Sequence, residues 1–490
     1  MLLTAQLLLN YQRCRRRAFL DVYGDDGQRD PPSDYLRKLR QDSSAHQQAM
    51  LASYAYDKPR YSQDNWQEGS AATLSLMAQG AEAIYHGVLL VSGNHFQALD
   101  LAVSESYRLE KLVGLSIPGL LVKSPGTSAF GPWQYALVEI KWGKRPKREY
   151  QMVAMFHAWV LSCLQGCPPQ SIQLMLRDRS PYYVDNVKLW PEFQALLADV
   201  VDAMSAPQAP EVFISRQKCS LCQWLTSCTT MARESQHLSL VPGVTPKRYE
   251  VLQGLGLTSL ESLSADNLGS LTAELGPQVA RQMVRQAQST REQRAIAIDR
   301  DRLPPLPTTP VELYFDIETE PDLNLEYLFG VFVLDRTARR SQFYPFLATS
   351  FQDQERMWYE FLDLVNHYDP MPIFHFCEYE VKAMGLLAKR FHTPAEQWQP
   401  LVHRCVDIHA WVTQYVTLPV ESYALKAIAR SMGFDWRDEE ASGAQTVYWY
   451  DQWMQTGDRE FLDRIIRYNE DDCRATYHVK DWLVRNFDSL

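Results

Sequence analysis

Asp316 and Glu318 stand two residues apart in VELYFDIETE, at the end of an apolar run that reads as a β-strand. A period of two puts both carboxylates on one face of that strand. Carboxylates so placed beside a buried edge repel each other and call for a cation. A second acidic group lies far downstream in RIIRYNEDDCRATYHV, a segment with helical periodicity. There Tyr468 and Asp472 are four apart and share a helix face, next to Glu470 and Asp471. Phosphodiester hydrolysis uses two hard cations held by carboxylates about 3.5–4 Å apart. One activates water and the other stabilises the leaving oxygen. A strand D-x-E and a helix Y-x-x-x-D offer oxygen ligands of that kind for Mg2+ or Mn2+. A capped strand and a solvated acidic helix would explain either motif alone, but explain the ordered pair less well.

Two other groups carry chemistry. Cys219-x2-Cys222-x5-Cys228 lies far downstream of Cys14 in a chain with nine cysteines. The spacing is too irregular for a common zinc ribbon, whereas one remote cysteine plus a triplet suits a 4Fe–4S cluster. Zinc stays the alternative, and unrelated thiols a third reading. Further on, Glu139 and Lys141 alternate in YALVEIK, which by itself is an amphipathic strand. Lys141, Lys144, Arg145, Lys147 and Arg148 then place five cations in eight residues, with Trp142 and Tyr150 beside them. Such a run can neutralise phosphates while the aromatics stack on bases, although most charge runs are solvated loops.

The elements that must position these groups fall into several domains, as 490 residues require. The fold class read from the pattern is α/β and multidomain. Residues 1–235 contain strand-like AIYHGVLLV, GLLVK and YALVEIK, then the helical EYQMVAMFHAWVLSCL. Residues 236–298 change to short helical pieces separated by Gly243, Gly254 and Gly256. Residues 299–310 hold four prolines in twelve positions and read as a semi-rigid linker. Residues 311–490 alternate strand and helix patterns. Hydrophobic residues at 46% and charged residues at 22% exclude a disordered, collagenous or coiled-coil chain. No run reaches the roughly 18 apolar residues of a membrane span. In MLLTAQLLLNYQRCRRR the charge follows the apolar run, opposite to a signal peptide, so a cytoplasmic protein is expected. The net charge of −10 counts mildly against a nucleic-acid binder, but a basic groove can sit on an acidic body.

FDIETE followed by YNEDDC resembles the DEDD exonucleases of the ribonuclease H-like fold, in particular their YprB-like branch. The resemblance implies that Asp316, Glu318 and Asp472 ligate metal and that Tyr468 orients the attacking water. It also implies a further acidic ligand mid-domain. IFHFCEYEVKAMGLLA offers Glu380, with Glu378 second, where Asp is usual; Asp407 is another candidate and His375 a structural residue. Ser422, Tyr423 and Lys426 are expected to pack or to line the groove. Glu139-x-Lys141 with Gln151 resembles the PD-(D/E)XK superfamily, which implies metal binding by the Glu and water polarisation by the Lys. Gly119 stands where that family has an Asp, with the more distant Asp100 as substitute, so the core either cuts or only binds. The segment around Cys14, YQRCRRRAFLD, resembles RecB-like and AddB-type iron–sulfur nucleases, in which a cluster closes the domain. LVPGVTPKRYEVLQGLGLTSLESLS resembles a helix–hairpin–helix, whose Gly243 turn would hold a phosphate with help from Lys247 and Arg248.

In this combination the chain resembles RecB-like nucleases. The resemblance implies a PD-(D/E)XK-like core, a helical hairpin module and a ribonuclease H-like domain. It also implies a 3′-5′ exonuclease on single-stranded or frayed DNA, with RNA as the alternative substrate, acting in repair or processing. No G-x-x-x-x-G-K-[ST] loop is present, so a helicase would act in trans. Two other classes stay open: a non-catalytic nucleic-acid scaffold and an iron–sulfur redox-responsive regulator.

Overall fold

The computed structural model describes residues 1–99, 101–104, 109–177 and 180–489. The chain forms two compact units. One is Met1–Val212 with Arg216–Thr230; the other is Phe213–Ser215 with Met231–Leu490.

In the first unit, five strands form one sheet in the order β1–β2–β3–β4–β5. They are Ala83–Tyr85 (β1), Leu120–Ser128 (β2), Gly131–Ile140 (β3), Ile172–Met175 (β4) and Pro181–Tyr183 (β5). Residues 135–140 of β3 are all buried, as a strand covered on both faces requires. β3 and β4 are parallel and are joined across helix α1, Arg148–Gln165. That helix is buried nearly all round from Met152 to Leu161, so it is the core element of the unit. Gly166, with φ +74°, ends it in the left-handed conformation.

The helical segment of the second unit has its own core of Leu238, Leu252, Leu271, Met283 and neighbours. Gly243 (φ +92°) turns the chain between a single 3-10 turn, Leu238–Leu240, and helix α2, Pro246–Gly254. Two full helices joined by a glycine occur later: α3, Leu268–Leu275, and α4, Pro277–Glu292, meet at Gly276 (φ +81°). Sequence reading put the hairpin at Gly243 and missed this second one, because Gly-Pro reads equally as a loop. The proline-rich stretch is fastened to the following domain: Leu306 is buried in its core and the Pro304 carbonyl accepts from Trp411.

The C-terminal domain is built on a second five-stranded sheet. Its strands are Val311–Glu320 (β6), Leu325–Asp335 (β7), Arg340–Leu347 (β8), Ile373–His375 (β9) and Cys405–Asp407 (β10). The order is β8–β7–β6–β9–β10; the first three pair antiparallel, and β6, β9 and β10 run parallel. Alternation along β6 sends Leu313 and Phe315 to one face, against helix α5, Gln354–His367. Tyr314 goes to the other face, against helix α6, Arg459–Arg485. Asp316 and Glu318 continue the Tyr314 side, so the strand's own period aims both carboxylates at α6. Helix α6 starts at the Asp458 N-cap and buries Leu462, Ile465, Asn469, Cys473, Thr476, Val479 and Leu483. Beneath the opposite end of β6, Lys480 forms an ion pair with Glu312 at 2.6 Å, both fully buried. Among the described residues no helix is long and apolar enough to cross a membrane.

Candidate metal centre

Ligand-type oxygens of Asp316, Glu318 and Asp472 all lie within 4.8 Å of one another. This is the only group of three or more metal-capable side chains so gathered among the described residues. Each carboxylate is held by a neutral donor. Asn469 Nδ2 donates to Asp316 Oδ2 at 2.7 Å, Thr446 Oγ1 to Glu318 Oε2 at 2.9 Å, and Trp436 Nε1 to Asp472 Oδ1 at 2.7 Å. These bonds orient the carboxylates without neutralising them. Burial, then Asp472, Glu318 and Glu380, raises the Asp316 carboxyl well above the usual range. Burial, then Asp472, pushes Glu318 up to about 8. Burial pushes Asp472 up to about 7, against hydrogen bonds from Trp436 and Tyr468. Three mutually repelling, all-oxygen donors fit a hard divalent cation such as Mg2+ or Mn2+.

Helix α6 reaches the strand closely because β7 carries Gly330 opposite Asp316. A Cβ at Gly330 would lie 1.7 Å from Asn469 Oδ1, so only glycine admits the Asn469–Asp316 contact. Tyr468 is the second expected residue on this face. Burial and the nearby Asp472, Glu318 and Asp316 raise its phenol well above the ordinary value, so it stays protonated and donates to Asp472. Glu470 and Asp471, adjacent in sequence, point elsewhere: Arg437 and Arg474 pair with Glu470, and Arg437 with Asp471.

Glu380 opens helix α7, Tyr379–Arg390, and is buried. Its Oε2 has no hydrogen-bond partner and lies 3.5 Å from His375 Nδ1. It is close enough to raise Asp316, but it does not join the three-way convergence. Glu378 is on the surface, paired with Lys382. Asp407 caps the following helix through Ala410 N and accepts from Cys377 N at 3.2 Å. Of the segment expected to pack or line the groove, Ser422 Oγ accepts from Ala424 N, and Tyr423 bonds Gln286 in α4. Lys426 donates to the carbonyls of Glu439 and Ala441 and acts electrostatically on Asp472. Asn469, Thr446, Trp436 and Gly330 escaped sequence reading. Only Asn469, next to Tyr468 and one turn before Cys473, carried a spacing signal.

In the first unit, Lys141 Nζ meets Glu139 Oε1 at 2.7 Å, while the Gly119 N–H donates to Glu139 Oε2 at 3.0 Å. Ser116 Oγ, His157 Nδ1 (2.7 Å) and His157 Nε2 to Glu139 (3.7 Å) continue the line inward. Burial lowers His157 to about 4, so it is neutral. Gln151 does not reach this group; its amide donates to the Pro146 carbonyl. Asp100 lies outside the described residues. A Cβ at Gly119 would sit 3.0 Å from the Val138 carbonyl, so the strand packing leaves little space for the family's Asp. Of the basic run, Arg148 pairs with Glu192, whereas Lys147 lies over the Tyr150 ring at 5.7 Å. Lys144 and Arg145 are exposed. In the helical segment Lys247 is exposed, and Arg248 is engaged with the Gly243 carbonyl at 2.7 Å.

Cys14 acts on Cys222 and Cys228 electrostatically, yet no three of the sulfurs of Cys14, Cys219, Cys222 and Cys228 converge within 4.8 Å. Burial pushes the Cys222 thiol up to about 11 and raises Cys228. The segment that carries Cys219, Cys222 and Cys228 is also tied to the start of the chain by hydrogen bonds. Trp224 Nε1 donates to Asp21 at 2.8 Å, and Gln223 and Asp30 exchange backbone and side-chain bonds.

A mixed sheet with three antiparallel strands followed by two parallel ones, and strand and helix carboxylates converging at its centre, is the arrangement of a ribonuclease H-like domain. Consistently, residues 313–484 match a family model of the RNase H superfamily. No curated protein matches the chain.

Proposed function

We propose that this protein is a metal-dependent 3′-5′ exonuclease on single-stranded or frayed nucleic acid, DNA before RNA, serving DNA repair or processing. The observation that carries the reading is the convergence of Asp316, Glu318 and Asp472, whose carboxyls are raised by burial and by one another although Lys426 acts on Asp472. These residues would hold Mg2+ or Mn2+, which when bound supplies Lewis acidity and an activated water for phosphodiester cleavage. Thr446, Asn469 and Trp436 fix the carboxylate orientations. Tyr468, a protonated phenol beside Asp472, orients the attacking water as a hydrogen-bond partner and takes no proton. Glu380 is the fourth acidic group, acting on Asp316 from α7. Polarity and DNA preference rest on the DEDD resemblance. Any unwinding would fall to a helicase in trans.

The first unit keeps its PD-(D/E)XK-like reading as a strand-gripping domain. Glu139 is compensated by Lys141 and the Gly119 amide, which favours binding without cutting. The iron–sulfur reading of the four cysteines rests on their spacing and on the resemblance around Cys14; iron content after anaerobic purification tests it.

The deciding experiment is a time course on end-labelled single-stranded DNA and RNA with Mg2+ or Mn2+, with Asp316→Ala and Glu139→Gln in parallel. Loss of cleavage in Asp316→Ala alone supports the reading. Loss in Glu139→Gln alone moves the chemistry to the first unit. Binding without cleavage by the wild type leaves a nucleic-acid scaffold.

A further inference from the structure

The first unit carries a groove of about 1040 Å³ that none of the expected motifs uses. It is formed where the chain leaves a long helix, Asp34–Leu51, and runs extended through Tyr56, Lys58 and Arg60 before turning into the helix Trp66–Ala78. The extended segment is not loose. Asp57 forms a parallel bridge with Ile84 of β1: its N–H donates to the Ala83 carbonyl, and its carbonyl accepts from Tyr85 N, both at 2.9 Å. The segment therefore adds itself to the edge of the sheet whose β3 carries Glu139.

Three aromatic side chains line the groove: Tyr56, Tyr61 and Trp66. Tyr56 is 43% exposed, while Tyr61 and Trp66 face each other at 6.1 Å between centroids. Two cations, Lys58 and Arg60, are exposed, and neither pairs with a carboxylate among the described residues. The aromatic surface continues inward. Tyr56 meets Tyr85 edge-on at 5.2 Å, Lys58 lies over the same Tyr85 ring at 5.8 Å, and Tyr85 stacks on His86 at 3.9 Å. Lys58 and Glu139 both act electrostatically on His86. Asp57 and Asp64 are also at the groove. Asp57 is fixed by its backbone in the sheet addition, and Asp64 sits at a left-handed turn (φ 62°) before the Trp66 helix.

Open aromatic faces between unpaired cations match one ligand chemistry: unpaired nucleobases on a phosphate backbone. A duplex would keep its bases stacked on one another and offer none to these rings. We propose that this groove is a binding path for single-stranded nucleic acid. Tyr56, Tyr61 and Trp66 stack bases, and Lys58 and Arg60 neutralise phosphates. The proposal rests on the nucleic-acid reading above and assigns its grip to residues outside the basic run of 144–148.

The test uses the full-length protein in EDTA, so that no cleavage occurs, and reads binding by fluorescence anisotropy. The probes are a labelled oligo-dT, an abasic strand of equal length, and a duplex. Stacking predicts that oligo-dT binds more tightly than the abasic strand. Tyr56→Ala should erase roughly 5- to 100-fold of that preference, and Tyr56→Phe should restore it. Lys58→Ala with Arg60→Ala should flatten the salt dependence by about 1.4 in log–log slope. Circular dichroism checks that each variant folds. Unchanged base preference in folded Tyr56→Ala, together with an unchanged salt slope in the double variant, overturns the proposal. In that case cleavage by the wild type, read separately with Mn2+, still stands or falls by itself. Equal binding of oligo-dT and abasic strand by the wild type also overturns it.

Discussion

Glu318→Gln removes one of three converging carboxylates while keeping an oxygen that can accept from Thr446. In the metal-free native protein the Glu318 carboxyl titrates at about 8 instead of 4.5, with burial the first cause and Asp472 the second. In the unfolded chain it is an ordinary carboxyl. Between those two pH values the native state holds the proton and the unfolded state does not, so stability is greatest at low pH and falls as pH rises to about 8. At roughly 1.4 kcal/mol per pH unit, the loss reaches about 5 kcal/mol above that pH. Glutamine cannot ionise and escapes it. At about 2–4 °C per kcal/mol, the metal-free variant should melt at least about 10 °C higher than wild type at pH 9 and almost level with it at pH 4.5. Thermal melts in EDTA across that range provide the assay. Mn2+ at a hundredfold its dissociation constant should then stabilise the wild type by about 2.7 kcal/mol and the variant little. A variant that melts lower than wild type at pH 9, or keeps its full response to Mn2+, would refute the picture of three carboxylates awaiting a cation.

Gly330→Ala places a Cβ where Asn469 Oδ1 now sits; overpacking of this kind costs about 1–3 kcal/mol, so denaturant melts should shift and cleavage should be lost with Asp316 no longer held. Trp436→Phe removes the indole donor to Asp472 and should weaken Mn2+ affinity or activity about 10- to 100-fold with little change in melting, read by titration and by the nuclease assay. Lys480→Met leaves Glu312 buried with the Thr309 N–H, Tyr314 and Arg336 as its remaining partners and should cost about 3–5 kcal/mol in urea unfolding, with the cleavage mechanism unchanged in surviving protein. Gly119→Asp should not create cleavage in the first unit, because its Cβ crowds the Val138 carbonyl; new Asp316-independent activity would contradict this.

Local patterns were enough for the elements that carry the centre. The alternation of VELYFDIETE specifies a strand and puts Asp316 and Glu318 on one face, and the four-residue spacing of Tyr468 and Asp472 specifies a shared helix face. Both are short-range consequences of backbone geometry. The strand runs and the long helix of the first unit were legible for the same reason.

What brings strand and helix together was not legible. Gly330 sits in an apolar strand, and its importance appears only when α6 packs across it with Asn469. Thr446 and Trp436 lie on other elements, and nothing in their neighbours marks them as partners of Glu318 and Asp472. The acidic triplet 470–472 shows the limit clearly: one residue turns inward and two are taken by Arg437 and Arg474, a choice made by helix rotation against the sheet. Sequence alone therefore determined which groups share a strand or helix face, because that depends on a repeat of a few residues. Tertiary structure decided which faces meet and which charges stay unneutralised, because that depends on contacts between residues more than a hundred positions apart.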